Sequence, residues 1–407
     1  MTRLLVNSLA ASAGGGLTYI RNVLPQFAAR TDVRVRVLLH SGLREEFRHV
    51  PNIEIVELQL PASRRFYYEQ SAVPRLIRQC GAEVLLSTGN FALRNSPVPQ
   101  ILLSRNSIYT SADFYRDLRS RHEYRAWLDT RLRSVLARRS IHWADVTVAP
   151  SKAFAAELKR WTGEPVLAVY HGFDREAFTG SADPLGPEVE AKLHAADGGC
   201  KLLFVSHYNY YRNFETLIRA LPFLREGVQG RPIRLLLTCR LRAGENPGAY
   251  RPEAAAELVR KLGVSDLVVE LGPIPYQQLH QVYARADAYV TPAYTETFAH
   301  PLVEAMASGV PVIASDIAVH REICGDAAAY FPRFSAEALS EVILQVAGSP
   351  EAMRRMAAFG LKRSGQFSWK AHVEKILELC AQLIACRNAH GRAQTAVGAD
   401  GSRADRE

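Results

Sequence analysis

The sequence lacks the features that mark a secreted or a membrane-spanning protein. Its six cysteines are scattered through 407 residues without a C-x-x-C pair. That usage argues against a disulfide framework or a zinc site and favours a reducing compartment. No apolar run approaches the ~20 residues that a membrane-spanning helix needs. The apolar opening is broken by Asn7 and Ser8, so it predicts a first strand and a glycine loop rather than a signal peptide. We therefore expect a cytoplasmic protein.

Two common ligand-binding motifs are also missing. The sequence contains no Asp-x-Asp pair that would suggest a metal-bound diphosphate, and we predict no metal or cofactor. Gly14, Gly15 and Gly16 follow the first predicted strand, but Tyr19 stands where a dinucleotide-binding G-x-G-x-x-G fingerprint would have its last glycine. A plain tight turn and a loop that lets backbone approach a ligand both remain open for these glycines.

Length and charge indicate two domains with different surfaces. A chain of 407 residues with 48% hydrophobic residues is too long for one small core and suits two. Residues 1–180 carry 25 Lys and Arg against 16 Asp and Glu, whereas residues 181–407 carry 25 of each. The net charge of +9 therefore belongs to the first half. A negatively charged acceptor or a membrane surface would explain it, and no nucleic-acid-binding motif accompanies it.

Short apolar runs alternate with helical patterns along the whole chain, which predicts an α/β protein with parallel sheets. The predicted strands are 4–6, 33–40, 53–58, 83–87, 100–103, 144–151, 165–170, 201–205, 233–238, 267–272, 289–290 and 310–314.

Residues 288–332 form the most informative stretch. An apolar run at 289–290 predicts a buried strand, a loop follows, and Pro301 is placed at the start of an apolar helix. Gly309 is expected to end that helix in a left-handed conformation, before the next buried strand. In a parallel sheet, the loop and helix start at the carboxyl end of a strand form a ligand crevice.

Two carboxylates, Glu296 and Glu304, fall in this crevice with seven residues between them. A helix N-terminus attracts phosphate, and carboxylates beside it would repel phosphate, so we expect them to accept hydroxyl groups instead. A ligand with a diphosphate in the middle and polyols at both ends, such as a nucleotide sugar, fits that arrangement. Taken singly, either residue could equally be a solvated carboxylate or a partner of the helix dipole.

The whole stretch resembles the E-x7-E signature of family-4 glycosyltransferases with the GT-B fold. The resemblance continues through SDIAVHREICGDAAAYF. It implies that Glu296 contacts hydroxyls of the transferred sugar and Glu304 those of the ribose. Phe298, Ala299 and His300 would be further donor-binding positions. Thr297 and Ala299 stand where the family usually has glycine, and His300 is unusual there.

The same resemblance supplies the remaining candidate residues. The family has two basic residues after the first strand of the second domain, and His207 and Arg212 occupy that region. Arg212 would stabilise the diphosphate, because its guanidinium is charged at any working pH. Many relatives have a histidine after the fifth strand; here Asn106 is the candidate catalytic residue, with a loop-turn role as the alternative. Gly15 and Gly16 would lie across a cleft from the donor.

The domain organisation is likewise implied by the resemblance. We expect a Rossmann-like domain over 1–175, completed by a returning helix at 369–386, and a nucleotide-sugar-binding domain over 183–365, with the two parallel sheets facing across a cleft. The polar composition of 387–407 predicts a disordered tail.

One helix, predicted over 121–139, combines an apolar stripe with many arginines. Its stripe comprises Tyr124, Trp127, Leu128, Leu132, Val135 and Leu136. We favour a stripe that faces the core and a basic face in solvent. A helix that lies on a membrane surface is the alternative.

These observations together predict a retaining glycosyltransferase that moves a sugar from a UDP- or GDP-linked donor to an acceptor hydroxyl. The acceptor is expected to be a glycan or a lipid-linked molecule in cell-surface polysaccharide or glycoconjugate synthesis, with peripheral contact at the inner face of the membrane as an open alternative. A nucleotide-sugar epimerase on the same fold and a non-catalytic sugar-binding protein are the other hypotheses.

Overall fold

The computed structural model describes residues 1–11, 14–40, 42–58, 62–246, 248 and 250–401. The chain forms two compact units. Unit 1 comprises Met1–Thr110, Asp129–Gly172 and the chain from Trp369 onward; unit 2 comprises Ser111–Leu128 and Phe173–Ser368.

Each unit is built on one parallel sheet. In unit 1 seven strands are arranged in the order β3-β2-β1-β4-β5-β6-β7. In unit 2 six strands are arranged in the order β10-β9-β8-β11-β12-β13. The strands are β1 Thr2–Ser8, β2 Val33–His40, β3 Ile53–Leu58, β4 Val84–Ser87, β5 Gln100–Leu103, β6 Val146–Ala149, β7 Val166–Ala168, β8 Cys200–Phe204, β9 Ile233–Leu237, β10 Val268–Glu270, β11 Ala288–Thr291, β12 Val312–Ser315 and β13 Ala328–Phe331.

Helices connect most of the strands, whereas residues 88–99 join β4 to β5 without a helix. They are α1 Gly14–Ala28, α2 Arg44–Phe47, α3 Ala62–Cys80, α4 Ala112–Ser120, α5 Tyr124–Trp143, α6 Lys152–Thr162, α7 Arg175–Thr179, α8 Pro187–Ala195, α9 Phe214–Ala220, α10 Glu253–Lys261, α11 Leu279–Tyr283, α12 His300–Ala307, α13 Ala318–Cys324, α14 Ala336–Ala347, α15 Pro350–Ser364 and α16 Trp369–Gly401.

The predicted α/β class with two parallel sheets is confirmed. Central strands such as β4, β5, β11 and β12 are buried at every position, which explains why they appear in the sequence as continuous apolar runs rather than alternating ones. The same burial makes these strands easy to recognise from composition.

Several elements differ from the sequence prediction, and three of them show why. Strand β13 was not predicted, because two of its four residues are alanines. Helix α4 was also missed, although Ser111 caps it by accepting a hydrogen bond from the Phe114 N–H at 3.2 Å. The last helix continues to Gly401, past its predicted end at Cys386, and residues 402–407 of the predicted tail lie outside the described residues.

The predicted orientation of the arginine-rich helix was wrong. Helix α5 buries a face of small residues and one isoleucine: Thr130, Ser134, Ala137, Ser140 and Ile141. The large apolar side chains of Tyr124, Leu128, Leu132 and Val135 are exposed instead. Periodicity correctly indicated a stripe but could not show which side of the helix faces the protein, because small residues also permit close packing.

Candidate functional site

Two loops of unit 2 lie side by side at the carboxyl end of its sheet. One loop follows β8 and contains Arg212; the other follows β11 and contains Glu296. Strands β8 and β11 are neighbours in the sheet. The Tyr294 N–H donates to the Tyr211 carbonyl at 3.1 Å, and the Asn213 side-chain amide donates to the Pro292 carbonyl at 3.1 Å. These two hydrogen bonds fix the loops to each other.

Arg212 and Glu296 form a buried ion pair. The Arg212 guanidinium donates to the Glu296 carboxylate, and only 8% of Glu296 is exposed. Burial raises the pKa of Glu296, and the adjacent guanidinium counteracts that rise. Burial also acts to lower the pKa of Arg212, but the Glu296 carboxylate and neighbouring tyrosine hydroxyls outweigh it and hold the pKa above its usual value. Arg212 therefore supplies a fixed positive charge.

Glu304 lies in α12 and is 5% exposed. Its carboxyl accepts a hydrogen bond from the Tyr283 hydroxyl of α11 at 3.0 Å. Burial raises the pKa of Glu304 to about 7, although Tyr283 and Arg212 act in the opposite direction. The Glu304 carboxyl therefore gains or loses its charge near neutral pH. When ionised it only accepts hydrogen bonds, and when protonated it can also donate one.

The turn into α12 contains a strained residue. Ala299 precedes the helix with a φ of +62°, a conformation that glycine adopts more easily. Phe298 is buried, and its ring lies 4.9 Å from the His300 ring and 5.3 Å from the Phe367 ring. The predicted helix end is confirmed, because Gly309 has a φ of +70°. The family's glycine at the start of this helix is thus replaced by an alanine in the glycine conformation.

His207 lies in the same loop as Arg212 but is exposed. Partial burial and the nearby Arg212 lower the pKa of His207 below its ordinary value. The imidazole is therefore neutral at pH 7, where it can donate a hydrogen bond but adds no positive charge.

Residues 111–128 hold both loops in place, which the sequence analysis did not predict. The Tyr294 hydroxyl donates to Asp117 of α4 at 2.9 Å. Arg121 donates to Asp117 at 2.7 Å and to Glu215 of α9 at 2.8 Å. Glu215 also accepts from the Tyr208 hydroxyl. The Tyr294–Asp117 and Arg121–Glu215 contacts join residues 177 and 94 positions apart, so no local pattern could have revealed them.

The candidates in unit 1 form a separate group at the end of β5. Arg105 donates to the Gly15 carbonyl at 2.7 Å and to the Thr88 carbonyl at 2.9 Å. A Cβ atom on Gly16 would lie 2.9 Å from the Arg105 guanidinium and 3.2 Å from the Ala11 Cα, so a side chain there would displace Arg105. Asn106 accepts a hydrogen bond from the Ile108 N–H at 3.3 Å, in the manner of a turn cap.

The structure thus brings Arg212, Glu296 and Glu304 into one region of unit 2, together with His207 and the turn at Phe298, Ala299 and His300. Gly15, Gly16 and Asn106 belong to unit 1, where Arg105 joins the glycine loop to the end of β5.

Comparison with known proteins identifies the class. Residues 13–177 match the family model described as Glycosyltransferase Family 4, and residues 187–363 match the one described as Glycosyl transferases group 1. The chain belongs to the family-4 glycosyltransferases with the GT-B fold. No described helix has the length and apolar character needed to cross a bilayer.

Curated relatives and solved structures agree with this assignment. A D-inositol 3-phosphate glycosyltransferase of Nocardia farcinica is 31% identical over 47% of this chain and 42% of its own length. The chain spans about half the length of the curated relatives it matches. Sucrose-phosphate synthase from Thermosynechococcus elongatus has a similar fold, with a TM-score of 0.74 and 20% identity over 95% of this chain and all of its own. Anabaena HepE, solved in complex with UDP-glucose, has a TM-score of 0.68 and 15% identity over 94% of this chain and all of its own.

Proposed function

We propose that this protein is a retaining glycosyltransferase that moves a sugar from a nucleotide-sugar donor to an acceptor hydroxyl. The observation that carries the proposal is the Arg212–Glu296 pair, buried beside Glu304 at the carboxyl end of the unit 2 sheet. A permanent cation and two carboxylates suit a diphosphate flanked by two sets of hydroxyls.

The roles of the three residues follow from their chemistry. When the bond between the anomeric carbon and the diphosphate breaks, its electron pair goes to the diphosphate oxygen, and Arg212 stabilises the growing negative charge. Glu296 accepts hydrogen bonds from the transferred sugar and Glu304 from the ribose. The N-terminus of α12 adds backbone N–H groups toward the phosphates.

The donor is proposed to be UDP- or GDP-linked, and the acceptor a glycan or a lipid-linked molecule in cell-surface polysaccharide or glycoconjugate synthesis. The UDP-glucose in the HepE structure supports a nucleotide-sugar donor, and the name of the Nocardia relative, a D-inositol 3-phosphate glycosyltransferase, supports glycosyl transfer. The positive charge of residues 1–180 supports an anionic acceptor.

Substitution of Arg212 tests the proposal. Thermal-shift screening of the full chain against UDP- and GDP-linked sugars identifies the donor, and donor turnover is then measured. Arg212→Ala should lower kcat by about 10²- to 10³-fold, as loss of one charge-stabilising donor does. Arg212→Lys should restore part of the activity, because lysine keeps the charge without the planar fork.

Two controls keep this test decisive. Arg260→Ala removes an exposed arginine of α10 and should leave kcat unchanged. Arg212→Ala leaves Glu296 buried without its partner, so near-ultraviolet circular dichroism must show a folded variant. A folded Arg212→Ala protein with wild-type kcat would refute the role of Arg212 at the diphosphate.

A further inference from the structure

Helix α5 presents its largest apolar side chains to solvent. Tyr124, Leu128, Leu132 and Val135 are 61%, 54%, 60% and 49% exposed. Spacings of four, four and three residues place them in one line along the helix. A single exposed apolar residue needs no explanation, but four in register on one helix form a continuous surface.

Arginines surround this line. At 100° per residue, Arg131 and Arg138 lie along one edge of it, Arg125 lies along the other, and Arg139 continues it one turn beyond Val135. Within the part of the chain that the structure describes, no carboxylate pairs with Arg125, Arg138 or Arg139. These three positive charges are therefore not neutralised by the protein.

We propose that this α5 face, formed by Tyr124, Leu128, Leu132, Val135 and the arginines 125, 131, 138 and 139, docks on an anionic lipid bilayer. The apolar side chains enter the boundary between headgroups and acyl chains, and the guanidinium groups bind lipid phosphates. Apolar residues flanked by cations are the pattern that an interfacial helix needs.

Charge complementarity favours a bilayer over a second copy of this chain. A symmetric dimer through this face would bring Arg125, Arg138 and Arg139 of two copies together, and among the described residues these three have no carboxylate partner. A lipid surface supplies the missing negative charge. The excess of Lys and Arg over Asp and Glu in residues 1–180 also attracts an anionic bilayer at longer range.

This docking surface is an inference beyond the proposed function. Only its purpose, access to a lipid-linked acceptor, rests on that function. It shares no residue with Arg212, Glu296 or Glu304. Membrane binding can therefore be measured without donor or acceptor, and a failure here leaves the donor site untouched.

The test is co-sedimentation of the full chain with vesicles of phosphatidylcholine alone or with 30% phosphatidylglycerol. We expect binding to the anionic vesicles only, and a loss of binding as salt is added. Arg138→Glu/Arg139→Glu should lower the partition coefficient at least about tenfold, since each basic residue at such a surface has a sizeable effect. Leu132→Ser/Val135→Ser should lower it by a similar factor because less apolar surface is buried.

Matched controls use exposed residues of α14 and α15. Arg354→Glu/Arg355→Glu makes the same charge change on α15, and Leu344→Ser/Phe359→Ser removes two exposed apolar side chains. Both should bind like the wild type. Equal loss in control and test variants would overturn the proposal, as would absence of binding to anionic vesicles at low salt. A dimer detected by sedimentation velocity without lipid, and abolished by Leu132→Ser/Val135→Ser, would assign the face to self-association instead.

Discussion

At the residue scale, the Arg212–Glu296 pair is unusual because both charges are withdrawn from water. Removing two charges from solvent costs several kcal/mol per ion, so a buried pair is weak evidence for stability. A ligand offers a better reason for keeping the pair. A diphosphate oxygen can take the place of Glu296 beside Arg212, and a sugar hydroxyl can take the place of Arg212 beside Glu296. Both charged groups are already in position for such a ligand.

Glu304 gives a pH-dependent prediction. Its pKa of about 7 means that the carboxyl is mostly protonated at pH 6 and mostly ionised at pH 8. Only the ionised form accepts two hydroxyl hydrogen bonds without competing as a donor. Donor affinity should therefore rise about tenfold from pH 6 to pH 8, as measured by isothermal titration calorimetry with a nucleotide sugar, whose diphosphate does not titrate in this range.

The matched variants are Glu304→Gln and Glu257→Gln. Glutamine at 304 still accepts the Tyr283 hydrogen bond but cannot ionise, so affinity should be weaker and independent of pH. Glu257 is exposed on α10, and its variant should keep the wild-type profile. A flat pH profile for the wild type would show that Glu304 does not bind the ribose as an anion.

The candidate residues of unit 2 were predictable because they belong to short sequence patterns such as the E-x7-E signature. The spacing of Glu296 and Glu304 and the position of Arg212 after a strand are local facts, and the structure brings these residues together. Tyr283 and Asp117 were not predictable, since their importance depends on contacts with residues far along the chain. Burial of Glu304, and hence its pKa, also required the three-dimensional arrangement.

At the element scale, the backbone of Ala299 at the start of α12 is strained, and this strain can be measured. An alanine in the left-handed region costs about 1 kcal/mol, and glycine relieves it at the expense of a more flexible unfolded chain. Ala299→Gly should therefore increase the free energy of unfolding by about 0.5 kcal/mol in urea titrations. Ala358→Gly, at an exposed position within α15, should decrease it by about 1 kcal/mol. Equal destabilisation by both would show that the Ala299 backbone is not strained.

The brace formed by α4 gives a second prediction at this scale. Tyr294→Phe removes the hydrogen bond to Asp117 while leaving Asp117 paired with Arg121. We expect the free energy of unfolding to fall by about 1.5–3 kcal/mol, the usual range for a hydrogen bond to a charged group. Because Tyr294 is in the loop that carries Glu296, kcat/KM for the donor should fall as well, although Tyr294 needs no contact with the donor.

Tyr67→Phe is the control for this prediction, because Tyr67 is 76% exposed. It should change the free energy of unfolding by less than about 0.5 kcal/mol. If Tyr294→Phe were equally silent in both stability and kcat/KM, the contact between Asp117 and the loop would have no positioning role.

Secondary structure was predictable where a buried segment consists almost entirely of apolar residues. Buried strands such as β4 and β12 are apolar at nearly every position, which the sequence shows directly. Helix α4 and strand β13 lack such a signature, and α5 has apolar residues on its exposed face. Prediction of α5 was wrong in orientation because the rule that apolar stripes face the core does not hold for a helix with a second, small-residue face.

At the scale of the whole molecule, the sequence indicates two units and an uneven charge. It did not indicate that residues 111–128, which lie between segments of unit 1, belong with unit 2. Their contacts to Tyr294 and Glu215 mean that loops at the candidate donor site depend on a segment from the first half of the chain. The excess of Lys and Arg in residues 1–180 agrees with the proposed anionic acceptor.

The central claim is that Arg212, Glu296 and Glu304 bind a nucleotide sugar. A crystal structure of the full chain with the nucleotide sugar that stabilises it most tests this directly. We expect the Arg212 guanidinium within hydrogen-bond distance of the diphosphate and the Glu304 carboxyl within hydrogen-bond distance of the ribose hydroxyls. A nucleotide bound elsewhere, with Arg212 still paired to Glu296 and Glu304 out of contact, would contradict the claim.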